Sequence, residues 1–274
     1  MRSPVRASRL RAELLHLFRR RRIHALLVVL ALVPVAIVIA LKLSGGPDYG
    51  DGPTFLNQVT NNGVFAALAG LVITLPVFLP LAIAIVAGDA IAGEAGLGTL
   101  RYLLIRPVGR SRLLLAKAVS VIAFCFVATL VVAIAGLIVG SILFPVGRVT
   151  TLSGDTLPLT SGVWRMCVAA GLVALSLLGL AAISLFASTM TDVAIGAMAA
   201  TLGILILSGI LDAIPQLSAI HPWLFTHNWL SFADVMRTHI SWTAIQKNLS
   251  LQGAYIVVFA SAAWARFTPR DILA

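Results

Sequence analysis

The chain has 274 residues, of which 59% are hydrophobic and only 11% charged, with a mean hydropathy of +1.01. A soluble domain carries about 25% charged residues, so this polar surface is too small to cover a water-soluble core, and lipid must solvate much of the exterior. The net charge of +10 marks topology rather than nucleic-acid binding: fifteen of the twenty Lys and Arg residues lie within 1–22, within 89–117 and at the C-terminal end, three segments on one side of an even number of spans, the positive-inside pattern.

In chain order, residues 1–22 set Leu10, Leu14, Leu15, Leu17 and Phe18 as an apolar stripe among arginines. That pattern predicts an amphipathic helix at the headgroup level. The apolar run that follows, 23–43, is too long for the core of a signal peptide and no A-x-A site follows it, so it reads as an uncleaved first span. A Gly- and Pro-rich outer loop leads to span two at 64–88, where Pro76 and Pro80 predict a kink or an opened backbone. Residues 89–117 are polar and cytoplasmic. Spans three, four and five follow at 118–144, 163–187 and 193–213. The segment 214–248 concentrates Trp223, Phe225, Trp229, Phe232 and Trp242; it reads either as one or two short helices dipping into the outer leaflet or as a plain interfacial aromatic belt. Span six is 249–265, and the tail returns to the cytoplasm. The expected fold is therefore all-α and membrane-integral, a single six-span domain with both termini inside. Cys125 and Cys167 fall at different depths, which argues against a disulfide.

Function concentrates in the inner loop. Leu97, Leu100, Leu103 and Leu104 recur at helical spacing among Glu94, Arg101, Arg106 and Arg110. Pro107 stops that helix, Gly109 permits the turn, and Ser111 can cap span three. A short helix with an apolar ridge and charged edges either docks into a groove on a soluble partner or lies on the headgroups as a re-entry turn.

The same run resembles the ABC-2 type permeases, the membrane subunits of many bacterial ABC exporters. The resemblance rests on Asp89, Glu94, Gly98-Thr99-Leu100, Leu103-Leu104, Pro107-Val108, Arg110 and Lys117, with Arg266-Phe267-Thr268-Pro269-Arg270-Asp271 similar to the family's exit. It implies a dimer of six-span subunits in the bacterial plasma membrane, formed with itself or with a paralogue. It further implies an elbow helix before span one and a coupling helix, built on Glu94, Gly98, Thr99, Leu100, Arg101, Leu104, Pro107 and Arg110, docked on a dimeric ATPase. In that scheme Pro76 and Pro80 are flexible points of the pathway, and spans two and five repack along the dimer axis.

The remaining signals are absences. No G-x-x-x-x-G-K-[ST] phosphate loop occurs, and none of Lys42, Lys117 and Lys247 follows a glycine. ATP and Mg would therefore be bound by a partner chain, and this chain is expected to be no enzyme, with no catalytic, cofactor or metal site. His221, His227 and His239 match no zinc spacing. No charge lies at mid-depth in any expected span, which disfavours an ion-coupled carrier. A membrane anchor or assembly protein stays open as the alternative of a different class. Most of the sparse polar lining (Thr74, Ser120, Thr129, Ser141, Ser176, Ser184, Thr201 and Ser208) is expected to satisfy backbone groups or neighbouring helices, and it suits apolar or amphipathic cargo.

Overall fold

The computed structural model describes residues 13–43, 54–96, 110–151 and 155–268. A short helix α1 (residues 13–19) meets α2 (Arg21–Leu43) at Arg20. Next come α3 (Thr54–Asn61), α4 (Phe65–Thr74), α5 (Phe78–Gly96) and α6 (Arg110–Leu143). A two-residue antiparallel pairing, β1 (Val149–Thr150) with β2 (Thr156–Leu157), precedes α7 (Leu159–Met190) and α8 (Ala194–Ala213). Three 3-10 runs, Pro215–Leu217, His221–Trp223 and Trp229–Met236, then lead into α9 (Trp242–Phe267).

Five of these helices, α2, α5, α6, α7 and α8, are long and apolar enough to cross a membrane. The protein is an all-α membrane protein. Helix α7 is its centre, packed against α5, α6, α8 and α9; 61% of its apolar window is buried, against 17% for α2 and α8, which hold the periphery. Helix α6, at 34 residues, is about 51 Å long. That exceeds a hydrocarbon core of about 30 Å, so part of this helix extends beyond the lipid.

The proline break expected in span two falls between α4 and α5, at 75–77. Pro76 and Pro80 have no N–H to give to the fourth carbonyl before them. Leu75 still bonds Leu71 O at 3.0 Å and Leu81 bonds Val77 O at 2.9 Å, so the chain bends instead of unwinding. Pro80, the third residue of α5, needs no intrahelical donor there. The side chains of Pro76, Val77 and Phe78 face outward from the bundle.

Sequence expectation and structure also differ at the loop 89–117. Its two flanks are helical continuations: α5 runs to Gly96 and α6 starts at Arg110. Ser111 therefore lies inside the first turn of α6 rather than capping it, and its hydroxyl accepts a hydrogen bond from Trp264 Nε1 at 3.0 Å. The last helix begins at Trp242, seven residues before the apolar run, because Asn248 and Gln252 find partners inside the bundle. Asn248 Nδ2 donates to Ser176 Oγ at 2.5 Å, and Gln252 Nε2 donates to Phe225 O at 2.7 Å. In the region 214–248, 3-10 turns stand where short helices were one of the two readings.

Most polar side chains within the spans serve backbone groups, as expected. Thr74, Ser120, Thr129, Ser141, Ser176 and Thr201 donate to carbonyls of their own helices, Ser184 reaches Ala84 O on α5, and Ser208 pairs with Thr226. Helices α4 and α6 approach through small residues. A Cβ on Gly140 would stand 2.1 Å from Gly63 O, and one on Gly136 would stand 2.7 Å from Ala66 O.

Replacing Gly140 by Leu is expected to prise α4 from α6, at a cost of roughly 1–3 kcal/mol or more for overpacking. Gly203→Ala, at a position with open space around it, should leave stability unchanged or slightly raised. Melting temperatures in detergent check both; equal values for Gly140→Leu and wild type would contradict the packing.

Candidate functional site

The inner loop is rooted on the C-terminal end of α5 and the N-terminal end of α6. Of the residues expected to couple to a partner, Gly98, Thr99, Leu100, Arg101, Leu104 and Pro107 lie outside the described residues, while Glu94 and Arg110 lie on the two roots. Around these roots the structure gathers charge from four elements.

Asp89, on α5, accepts hydrogen bonds from Arg20 Nη1 at 3.2 Å and from Arg22 Nη2. Arg20 is the joint between α1 and α2, where the backbone turns through Arg20 N to Leu17 O and Ile23 N to Arg20 O. Gly93, one turn beyond Asp89, makes room for this carboxylate: a Cβ there would lie 2.3 Å from Asp89 Oδ1. Lys117, on α6, donates to Glu94 Oε1 and, at 3.3 Å, to Glu13 Oε2 on α1. Its side chain is only 8% exposed, and that of Glu94 14%.

Three cations and three carboxylates thus balance at one end of the bundle. Burial penalises each charge alone, and the pairing offsets that penalty only because every member has an opposite neighbour. The cleft between them, bordered by Glu13, Arg20, Asp89, Lys117 and Ser120, holds about 30 Å³. That is space for a water or two, and the paired side chains around it tie α1, α2, α5 and α6 together.

The junction extends to the other helices. Ser188 on α7 is fully buried; its hydroxyl donates to Gly88 O at 2.7 Å and accepts from Ile91 N and Ala92 N at 3.1 and 2.9 Å. It thereby bonds three backbone groups of α5 within one turn. Arg110 Nη1 donates to Thr268 O at 2.7 Å, just past the end of α9. Beneath these contacts Ile91, Leu113, Leu114, Leu185, Ala263 and Phe267 form a separate apolar cluster of α5, α6, α7 and α9. Both roots of the loop are therefore fastened to α1, α2, α7 and α9.

Sequence reading placed Glu94 and Arg110 in this region and missed Glu13, Arg20, Arg22 and Ser188 as their companions. The signal available was charge conservation in a poor solvent: a Lys at the inner end of a span calls for a carboxylate, and Glu13 and Glu94 are two of only ten acidic residues in the chain. Pro76 and Pro80 stand apart from the junction, at the far end of α5.

Residues 25–273 match the model of a family described as "Protein of unknown function (DUF2705)", and the chain belongs to that family. No curated protein matches it.

Lys117→Gln leaves Glu13 and Glu94 facing each other without a cation and should destabilise the detergent-solubilised protein by roughly 2–5 kcal/mol, the range for stripping one partner from a desolvated pair. Lys117→Gln combined with Glu94→Gln should recover part of that loss. A thermal double-mutant cycle giving a coupling energy near zero would show that the pair carries no weight.

Proposed function

We propose that this chain is the permease subunit of an ATP-driven exporter, acting with a separate dimeric ATPase and a second permease chain in a bacterial plasma membrane. The observation that carries this reading is the fastening of the inner loop. Movement delivered to the ends of α5 and α6 is passed on to the bundle, because these two roots are ion-paired and hydrogen-bonded to α1, α2, α7 and the end of α9. An anchor that merely held a partner would need no such bracing.

In this reading the chain crosses the bilayer six times. Span two is α4 and α5 together, span six is α9, and α1 is the visible part of an elbow helix that precedes span one. Both termini face the cytoplasm, as the arginine bias requires. ATP binding closes the partner ATPases and moves the loop. Glu94, already engaged with Lys117, passes that movement to α6 and α1 instead of touching the partner, while Leu100, Arg101 and Leu104 make the docking contact. The break at Pro76 lets α5 change its tilt relative to α4. The second permease chain covers the outward apolar side chains at the start of α5 and on α8, where Val77 in the break, Phe78, Ile206, Leu207 and Ile210 stand exposed. The cargo is apolar or amphipathic, in keeping with spans whose few hydroxyls are spent on backbone carbonyls. No bond is made or broken by this chain; ATP and Mg sit on the partner.

Purified alone, the chain should hydrolyse no ATP; co-expressed with an ATPase encoded beside it, it should form a complex that does. Leu100→Asp with Leu104→Asp should abolish capture of that ATPase at unchanged melting temperature. Hydrolysis by the lone chain, or wild-type capture by the double variant, would remove the reading.

Orientation is tested separately. In a background with Cys125 and Cys167 replaced by Ala, a cysteine at Gly98 should resist an impermeant thiol reagent in intact cells. One at Gly147, which has open space around it, should react. The reverse labelling would invert the topology.

A further inference from the structure

At the end of the bundle opposite the charged junction, three side chains capable of holding a metal converge. Asp212 lies in the last turn of α8, His221 opens the second 3-10 run, and His227 lies in the turns that follow. One donor atom from each lies within 4.8 Å of the other two. Residues 194 and 212 are separated by about 27 Å along α8, which places this group at the opposite end of that helix from the turn that joins it to α7. We propose that Asp212, His221 and His227 form a binding site for a divalent transition-metal cation, with Zn2+ the best match to one carboxylate and two imidazoles.

Donor chemistry and geometry agree. Zn2+ takes imidazole nitrogen and carboxylate oxygen at about 2.0–2.1 Å in tetrahedral array, so its ligand atoms stand about 3.3–3.4 Å apart. His227 Nδ1 is 2.5 Å from Asp212 Oδ1, and the 4.8 Å limit on the set leaves only small side-chain rotations between this arrangement and a coordinated one. The rings of His221 and His227 are 5.5 Å apart, centroid to centroid. Two imidazolium ions at that separation would repel, whereas two neutral rings sharing a cation would not. Three protein ligands leave the fourth position to water or to a further ligand.

Two further observations separate this cluster from a chance ion pair. A histidine–aspartate pair needs no third donor, yet His221 is present, and its Nε2 is 3.1 Å from the carbonyl of Ile214. A backbone acceptor on one ring nitrogen fixes the tautomer and leaves the other nitrogen as a lone-pair donor, the arrangement that supports metal-bound histidines. The histidine-bearing segment is also held in place by three contacts from two helices. Tyr255 Oη donates to Trp223 O at 2.9 Å, Gln252 Nε2 donates to Phe225 O at 2.7 Å, and Ser208 pairs with Thr226 at 2.8 Å. These contacts hold residues 223, 225 and 226 against α8 and α9, so the ligands are positioned before any ion arrives.

The test uses the full chain in detergent, with any purification tag removed so that no added histidines compete. Titration with Zn2+ should show one equivalent bound and a raised melting temperature. Co2+ in its place should give the visible absorption of a tetrahedral site. Asp212→Asn, His221→Gln and His227→Gln should each weaken Zn2+ affinity at least tenfold, and His239→Gln should not. These side chains are partly or fully exposed, so metal-free melting temperatures equal to wild type certify that each variant is folded. Absence of Zn2+ binding in the wild type, or wild-type binding in the triple variant, overturns the site. Unchanged affinity in His221→Gln alone also overturns it, by reducing the group to a two-residue pair.

Discussion

Hydrocarbon offers no hydrogen-bond partner, and each unsatisfied polar group in it costs several kcal/mol. Every feature of this bundle bends to that constraint. Backbone groups are spent in helices; hydroxyls fold back onto carbonyls three or four residues earlier, as Thr74 does to Gly70 O at 2.7 Å. The few polar side chains that cannot do so pair across helices, as Asn248 does with Ser176. With dispersion the main force left to join apolar helices in lipid, close approach matters more than in water, and glycines supply it where α6 crosses the segment from Gly63 into α4. Charge is expelled to the two ends, where it must still be paired because the helix ends crowd together.

That expulsion gives the two ends different characters. At one, arginine and lysine predominate in sequence, yet six of the described charges, three of each sign, close into a balanced set around Asp89, Glu94 and Lys117. At the other, the connections between spans tie to one another through side-chain hydrogen bonds, with charged donors and acceptors among them. Asn62 Nδ2 donates to Arg148 O at 3.0 Å, Thr238 Oγ1 donates to Asp155 Oδ2 at 2.7 Å, and Arg165 donates to the carbonyls of Val235 and Arg237 at 3.0 and 2.7 Å. The guanidinium of Arg165 thereby serves the C-terminal carbonyls of the longest 3-10 run, groups with no partner inside that run.

Elements whose cause is local were legible in the sequence. Long apolar runs announced α2, α6, α7 and α8, and Pro76 announced the break in span two because a missing N–H acts on its own helix whatever surrounds it. Elements whose cause is distant were not. Lys117 meets Glu13 across 104 positions and Arg20 meets Asp89 across 69, and no periodicity encodes which charge finds which. The extension of α9 back to Trp242 was hidden because Gln246, Lys247 and Asn248 look like loop residues until Ser176 is in place to receive Asn248. Histidine spacing alone matched no metal motif, since the third donor, Asp212, belongs to the preceding helix and only the turns at Pro215 and Pro222 bring it close. The apolar ridge Leu100–Leu104 lies outside the described residues and rests on sequence alone.

The break at 75–77 also marks a change of partner. Above it, α4 is locked to α6 by backbone contacts so close that Gly140 and Gly63 leave no room for a methyl group. Below it, α5 is held to α7 by the three hydrogen bonds of Ser188 and to α8 by close contact at Gly88, where a Cβ would stand 3.0 Å from Met198 Cγ. A continuous helix would weld these two sets of neighbours together, because a displacement at Gly96 would travel along an unbroken hydrogen-bond ladder to Phe65. With Pro76 and Pro80 in the chain, carbonyls 72 and 76 have no ladder N–H to receive, and bending there meets less resistance than anywhere else along the span. A change of tilt between α4 and α5 is therefore taken up at this turn, while α6, packed against α7 and paired to α5 through Lys117 and Glu94, keeps the two sets of neighbours in register.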